Sequence, residues 1–313
     1  MGKKVHSAKT LEHWPYQTYN WGRWTNGKGT LNLADNTATK RGFDSVKDHE
    51  VFTLGSPLSE DYVTGEANYD SDYHYELLRA GQYEFAGETE PVFEAGDRFS
   101  IATHGMTNTH IDAFCHVGHR GQSFNGHACE DVVTLAEGVK KYTIIDLGSL
   151  VTRAWLIDVP AQRGLDFLIP GDPVVPEDLM PFSNLISAGD VLVIRTGRFA
   201  APLIKPDSQV AQDNHGNWSG LHVDCVDLIS DWDISSVATD GPGDNFPSTY
   251  EGCSVPIHIL MEVYLGLPLI HHLSLEALAK KLSSRDDKSF LLTVAPLQIS
   301  SGTGSPVSPI AVT

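Results

Sequence analysis

The chain has 313 residues, a formal net charge of −18 and 41% hydrophobic residues, with 28 glycines and 17 prolines. This composition is typical of a loop-rich globular enzyme, and the acidic balance disfavours nucleic acid and anionic membrane surfaces as partners. No apolar run reaches the roughly 18 residues of a membrane span, and the four cysteines lack Cys-x-x-Cys spacing. Because no apolar segment follows the basic N-terminus, we expect a cytoplasmic protein with reduced thiols.

The N-terminal segment is dense in aromatic side chains between His13 and Trp24. These aromatics follow no helix or strand period. Three alternatives remain open: they wall a pocket for a flat substrate, pack across a partner subunit, or dock on the chain's own core. We predict an aromatic arm or extension over residues 1–50, in which Trp21 and Trp24 contact substrate.

The region before the central motif is predicted to contain a strand and a long excursion. Apolar and small residues alternate over residues 51–58, which predicts the strand. Residues 60–97 are acidic and rich in tyrosine, and we predict a short helix near residues 75–80 within them. Such a long excursion either covers a site or is simply a solvated loop.

The densest coordinating chemistry lies in the Thr-His-Gly-Met-Thr-Asn-Thr-His-Ile-Asp-Ala-Phe-Cys-His run over residues 103–116. Alternation in a strand places His110 and Asp112 on one face, with Ile111 pointing into the core. One helical turn after Asp112 would return His116 to the same side. The run therefore predicts a metal site or an acid/base cluster, with partly buried polar residues that satisfy a turn as the alternative.

The second half of the chain adds buried strands and further imidazoles. Residues 141–147 and the continuous apolar run within residues 188–198 are predicted strands, the latter buried on both faces. Arg195 and Arg198 at its end either form salt bridges or bind substrate. Helical periodicity is expected over residues 223–229, and a further strand over residues 234–239.

A helix over residues 257–265 is predicted to follow Pro256, with Gly266 as its stop. His258 then lies in the first turn, where the helix dipole favours a neutral imidazole. A strand over residues 267–273 carries His271 beside a second histidine. We also predict a final helix over residues 275–282 that is capped by Ser274.

These motifs resemble the cyclase-like metal-dependent hydrolases, the family of bacterial kynurenine formamidase and isatin hydrolase. The family signature His-x-Gly-Thr-His-x-Asp-x-Pro-x-His is matched in part by residues 106–116, where Met106 replaces the first histidine. His104, on the same strand face, is the substitute ligand that we expect. Met106 is assigned to the substrate side of the site.

The resemblance also implies the second half of the site. His258 matches a family histidine, and a family glutamate position falls on His271. A site in which His110, Asp112, His258, His271 and His104 are ligands would favour zinc or manganese. The exchange of glutamate for histidine leaves open whether one or two ions are bound.

The implied fold is α/β, a swivelling β/β/α catalytic domain over residues 51–313 with a mixed-sheet core. The implied activity is metal-dependent hydrolysis of a small amide, lactam or lactone, in which a metal-activated water is the nucleophile and His116 the general base. The alternatives are a non-hydrolytic small-molecule binding protein and a metal-dependent cyclase or dehydratase. The expected partners are a small-molecule substrate and further copies of the chain in a homodimer or homotetramer.

Overall fold

The computed structural model describes residues 20–58, 73–83, 87, 89–106, 108–200, 217–248 and 250–313. Thirteen strands lie within these residues: β1 (Val51–Thr53), β2 (His74–Tyr83), β3 (Val92–Ser100), β4 (His110–Asp112), β5 (Val133–Thr134), β6 (Gly138–Val139), β7 (Leu150–Asp158), β8 (Val191–Arg195), β9 (Ser236–Thr239), β10 (Leu269–His271), β11 (Ser289–Val294), β12 (Gly304–Pro306) and β13 (Ile310–Val312). Nine of them form one curled mixed sheet in the order β1-β13-β11-β7-β8-β9-β10-β4-β12. This α/β architecture with a mixed sheet confirms the predicted fold class.

Helices in the described residues are short: α1 (Asn36–Asp44), α2 (Cys129–Val132), α3 (Ile144–Leu147), α4 (Val159–Gln162), α5 (Pro176–Leu179), α6 (Cys225–Asp231), α7 (Pro256–His258) and α8 (Glu276–Leu282). Three 3₁₀ turns add Gly29–Leu33, Phe124–Gly126 and Met180–Phe182. Helix α7 continues without a break into a π-helical segment, Ile259–Leu265. No described helix is long and apolar enough to cross a bilayer.

The centre of the sheet is parallel, from β7 through β8 and β9 to β10. Strand β8 is buried along its whole length. Val191 and Val193 pack into one hydrophobic core, and Leu192 and Ile194 pack into another. Because successive side chains of a strand point to opposite faces, the two cores lie on the two sides of the sheet. The prediction of a strand buried on both faces is confirmed.

Strands β2 and β3 form a separate two-stranded ribbon. The predicted helix near residues 75–80 is therefore wrong, since these residues lie inside β2. Cross-strand pairs stabilise the ribbon, including the ion pairs of Arg79 with Glu94 and of Arg98 with Glu76. The weak periodicity that suggested a helix reflects a register shift between Leu77 and Arg79, which interrupts the alternation of the strand.

Two smaller predictions also require correction. Residues 141–147 are not a strand: Thr143 and Asp146 form a reciprocal capping box that starts α3. The last helix begins at Glu276 and has no side-chain cap, so Ser274 is not its N-cap. At the first of these places a reciprocal pair of polar groups determined a boundary that the apolar pattern alone did not reveal. The helix after Pro256 and its stop at Gly266, which has φ of 60°, agree with the prediction.

Candidate metal centre

Asp112 lies at the centre of a buried cluster of imidazoles and carboxylates. Strand β4 carries His110 and Asp112 on one face, while Ile111 packs into the core on the other. Antiparallel pairing places His271 of β10 opposite His110. That register brings Nε2 of His271 to 3.0 Å from Oδ2 of Asp112. The neighbouring strand thus supplies an imidazole that is 159 residues away in sequence.

His104 holds the other carboxylate oxygen of Asp112. Its Nδ1 lies 2.8 Å from Oδ1 of Asp112, and its Nε2 lies 2.9 Å from the Thr303 hydroxyl. The ring stacks on His116 with a centroid separation of 3.4 Å and an interplanar angle of 1°. Because both ring nitrogens already have partners, His104 is arranged to orient Asp112 and His116.

His110 and His258 each have one nitrogen fixed and the other turned toward Asp112. Nδ1 of His110 donates to the carbonyl oxygen of Asn108 at 2.9 Å, and its Nε2 lies 3.6 Å from Asp112. Nδ1 of His258 pairs with the Asp244 carboxylate, and its Nε2 lies 3.7 Å from Asp112. A carboxylate on the far nitrogen of an imidazole fixes its tautomer and orientation, as it does for histidines that bind metals.

Glu262 adds a second carboxylate to the cluster. It lies on the π-helical segment, four residues after His258, and is 1% exposed. Neither of its carboxylate oxygens accepts a hydrogen bond from any donor among the described residues, and Glu262 can pair with the neighbouring Asp112 only through a shared proton. A buried carboxylate without donors is strongly disfavoured unless a cation neutralises it. π-Helical turns are rare and occur frequently at functional sites.

Among the described residues, two sets of donor atoms lie close enough to hold an ion, and they share Asp112. One set is Asp112, His258, Glu262 and His271, and the other is His104, Asp112 and His116. Within each set, all donor atoms lie within 4.8 Å of one another. The first set offers two carboxylates and two imidazoles, a mixed oxygen and nitrogen environment that suits zinc or manganese. The orphaned oxygens of Glu262 show that these residues fit a divalent cation.

Burial and neighbouring charges shift the pKa values of the cluster in different directions. Burial lowers the pKa of His110 to about 3 and that of His116 to about 4, so both are neutral near pH 7. Burial acts to raise the pKa of Asp112, but His271 and the hydrogen bond from His104 hold it well below its usual range. Burial and the adjacent Asp112 raise the pKa of Glu262 well above its usual range.

The predicted substrate residues are not members of this cluster. Trp21 stacks on Tyr264 at 5.7 Å and donates its indole N–H to the carbonyl oxygen of Val263. Trp24 has the Arg23 guanidinium 4.4 Å above its ring. The carbonyl of Met106 accepts from Arg198 at 3.3 Å. The aromatic residues of the arm before residue 20 lie outside the described residues, and the substrate roles of Trp21, Trp24 and Met106 stay predictions.

Cys115, inside the central motif, is not arranged as a nucleophile. Burial raises the pKa of its thiol to about 12, so the thiolate is scarce near neutral pH. All four cysteines are free, and Cys115 and Cys225 are buried, in keeping with the reduced thiols expected from the sequence.

Comparison of the sequence with known families finds one match. The model of the cyclase family aligns with residues 36–244, which is about two thirds of the chain. The chain belongs to the cyclase family. The aligned region of this cyclase-family protein includes β4 and His116 and ends before His258. No curated protein matches the sequence.

Solved structures share the fold of this cyclase-family protein at low sequence identity. A crystal structure described as a novel cyclase is 23% identical, with a TM-score of 0.82 over 95% of this chain and 100% of the other. Isatin hydrolase A from Ralstonia solanacearum is 20% identical, with a TM-score of 0.54 over 84% and 91% of the two chains. A predicted metal-dependent hydrolase from Bacillus stearothermophilus is 16% identical, with a TM-score of 0.50 over 84% and 97%.

Sequence reasoning about this cyclase-family protein missed Glu262 and Asp244. The signal for Glu262 was present: a single acidic residue interrupts the apolar run Ile-Leu-Met-Glu-Val-Tyr-Leu, four positions after His258. Asp244, in the turn after β9, gave no such signal. Its role depends on the close approach of that turn to the start of α7, where it also accepts from the backbone N–H of Ile257 at 2.6 Å.

Proposed function

We propose that the protein is a metal-dependent hydrolase that opens a small amide, lactam or lactone. The observation that carries this proposal is the buried carboxylate of Glu262, which lies beside Asp112, His258 and His271 and accepts no hydrogen bond from the described residues. The names of the structural neighbours, isatin hydrolase and metal-dependent hydrolase, support the same class of reaction. A buried site of this kind suits a small, largely enclosed substrate.

Asp112, His258, Glu262 and His271 would hold the divalent ion, zinc or manganese. When bound, the ion would supply Lewis acidity, which polarises a carbonyl and lowers the pKa of a water molecule. Asp244 orients His258, and His104 orients Asp112. His116 is neutral near pH 7 and stacked on His104, so it is placed to accept a proton from water and deliver it to the leaving group.

The test combines metal content with substrate range. Purified protein is assayed for bound zinc and manganese, treated with a chelator, reloaded, and offered formamides, cyclic imides and lactones. We expect a hydrolytic activity that disappears with the metal and returns on reloading. Full activity in metal-free protein would contradict the proposal. Less than about one tenth of an equivalent of metal, without recovery on reloading, would favour the alternative of a small-molecule binding protein.

We also propose that the protein is a homodimer or homotetramer in which a second copy covers the apolar face of the ribbon. Tyr75, Leu77, Phe93 and Phe99 share one face of β2 and β3 with Asp97, and the four are each at least half exposed. The ion pairs of the ribbon lie on the other face. At about 100 Å² from each half-exposed side chain, the face would provide about half of the roughly 800 Å² per partner of a standard interface.

The oligomer is tested by light scattering coupled to size exclusion. Phe93→Asp should weaken the oligomer, because it places a charge within the apolar face. Glu94→Gln, at the next residue on the opposite face, is the matched control and should leave the oligomer intact. A wild-type monomer, or a Phe93→Asp variant of unchanged mass, would contradict this interface.

A further inference from the structure

Two arginines at the end of β8 have different partners. Arg195 lies between Asp158, at 2.9 Å, and Glu276, at 2.7 Å, so it forms structural salt bridges. Arg198 instead extends toward the metal centre. Its Nη1 lies 2.8 Å from Nδ1 of His272, and its Nη2 donates to the carbonyl oxygen of Met106 at 3.3 Å.

The backbone at Arg198 is held by a buried carboxylate. Asp240 accepts from the backbone N–H groups of Thr196, Gly197 and Arg198. It also accepts from the Thr196 hydroxyl at 2.8 Å. Because one carboxylate accepts from three successive peptide N–H groups, it fixes the backbone from which the Arg198 side chain extends.

His272 is constrained as firmly as Arg198. Its φ is 59°, in the left-handed region that is unusual for a residue with a side chain. Its carbonyl oxygen accepts from the hydroxyls of Ser56 at 2.9 Å and Thr109 at 2.7 Å. Backbone strain of this kind persists only where the surroundings enforce it, and it is concentrated at functional sites.

The contact with Arg198 determines which nitrogen of His272 carries the proton. A guanidinium group only donates hydrogen bonds, so Nδ1 of His272 must accept and the ring proton must be on Nε2. Among the residues that the structure describes, none makes a hydrogen bond with this Nε2. The ring lies 5.6 Å from that of His110 and 6.1 Å from that of His271. An N–H donor is therefore available next to the candidate ligands.

We propose that Nε2–H of His272 donates a hydrogen bond to the carbonyl oxygen of the substrate, and that Arg198 is the positioning residue that enforces this tautomer. As water adds to the carbonyl carbon, the π electron pair moves to this oxygen, which accepts a stronger hydrogen bond from His272. The proton stays on Nε2 throughout. When the C–N or C–O bond breaks, its electron pair goes to the departing nitrogen or oxygen, which takes the proton that His116 removed from water, and the carbonyl oxygen becomes part of the product carboxylate. The hydrolysis step of this proposal rests on the proposed function, whereas the Nε2–H tautomer of His272 does not depend on it.

The tautomer is measured by long-range proton–nitrogen correlation spectra of protein labelled with ¹⁵N histidine. His272→Gln identifies the signal of His272. We expect the Nε2–H form of His272 in both metal-free and zinc-loaded wild type. Arg198→Met should give a mixture of tautomers. Arg98→Met, a matched control on the ribbon, should leave the tautomer unchanged. Sodium acetate, a carboxylate probe for the product, should shift the Nε2–H signal of wild type. An Nδ1–H tautomer, or a signal that acetate leaves unmoved, would overturn the proposal even if no hydrolysis is ever detected.

Kinetics with a substrate from the panel provide the second readout. His272→Phe should retain bound zinc and lower kcat by about 10² to 10³ with little change in KM, as for loss of an oxyanion donor. His272→Gln keeps an N–H donor and should recover part of that loss. If His272→Phe folds, binds zinc and turns over like wild type, the role of His272 is refuted while the metal-dependent hydrolase stands.

Discussion

Asp190 and Glu262 are both buried carboxylates, but their surroundings differ completely. Asp190 accepts from the guanidinium of Arg153 at 2.7 Å, from the indole of Trp155 at 3.1 Å and from the backbone of Ser187 at 2.9 Å. Glu262 is as deeply buried, and no described residue donates a hydrogen bond to its carboxylate oxygens. A saturated buried acid holds a fold together, whereas an unsatisfied one costs free energy unless a ligand compensates it. The contrast makes the region around Glu262 the candidate binding site.

The largest effects are expected at Asp112 and His116, which belong to the same cluster as Glu262. Asp112→Asn keeps the shape but removes the shared anionic ligand, so metal occupancy and activity should both be lost. His116→Ala should retain metal and lose about two to four orders of magnitude in rate, because it removes the base. Metal analysis and kcat on the same preparations separate the two. If His116→Ala loses metal as completely as Asp112→Asn, then His116 is a ligand.

Asp190→Asn tests the buried carboxylate that already has hydrogen-bond donors. The change leaves Arg153 without its carboxylate, and breaking such a mostly buried pair should cost about 3 kcal/mol of unfolding free energy. Activity per folded molecule should stay at the wild-type level, since no metal ligand is touched. Denaturant unfolding and active-site metal content are the measurements. A stable Asp190→Asn variant with impaired metal binding would contradict the structural role of Asp190 and its contrast with Glu262.

Glu262→Gln tests the same comparison through the pH dependence of folding stability. The pKa of Glu262 is raised in the folded, metal-free protein, so the folded state holds a proton that the unfolded state releases. Stability linked to this group is present at low pH and lost as pH rises through the raised pKa. Metal-free Glu262→Gln should therefore match wild type near pH 5 and become more stable by about 1 kcal/mol or more toward pH 8. If the melting temperatures of metal-free Glu262→Gln and wild type differ by a constant amount from pH 5 to pH 8, the raised pKa of Glu262 is refuted.

The smallest effect is expected at Trp21, on the outer side of the helix that carries Glu262. Trp21→Ala removes the indole that we predict to contact substrate, a contact worth about 1 kcal/mol, together with its stack on Tyr264 and its hydrogen bond to Val263. KM should rise several-fold at nearly unchanged melting temperature and oligomer size. Trp24→Ala, made separately, tests the other predicted aromatic. Wild-type kinetics in both variants would make the arm purely structural.

The sequence predicted the parts of the site that depend on short spacing. The pair His110 and Asp112 on one face of a strand follows from alternation, and His258 in the first turn of a helix follows from Pro256. The strand buried on both faces was recognisable from its unbroken apolar run. These features need only the local geometry of the chain, which a single sequence contains.

The rest required tertiary contacts. Glu262 was overlooked although it follows His258 by four positions, because nothing local shows that its oxygens lack donors. The partnership of Arg198 with His272 joins residues 74 apart. Likewise the ribbon was taken for a helix because a register shift disrupts its alternation. Long-range pairing decided each of these cases.

The central claim is that Glu262 is unsatisfied because it binds a metal ion. The most direct measurement is the zinc and manganese content of wild type, Glu262→Gln and Asp190→Asn after chelator treatment, reloading and desalting. We predict about one equivalent or more in wild type and in folded Asp190→Asn, and less than about one tenth in Glu262→Gln. Equal metal content and equal affinity in Glu262→Gln and wild type would contradict the claim.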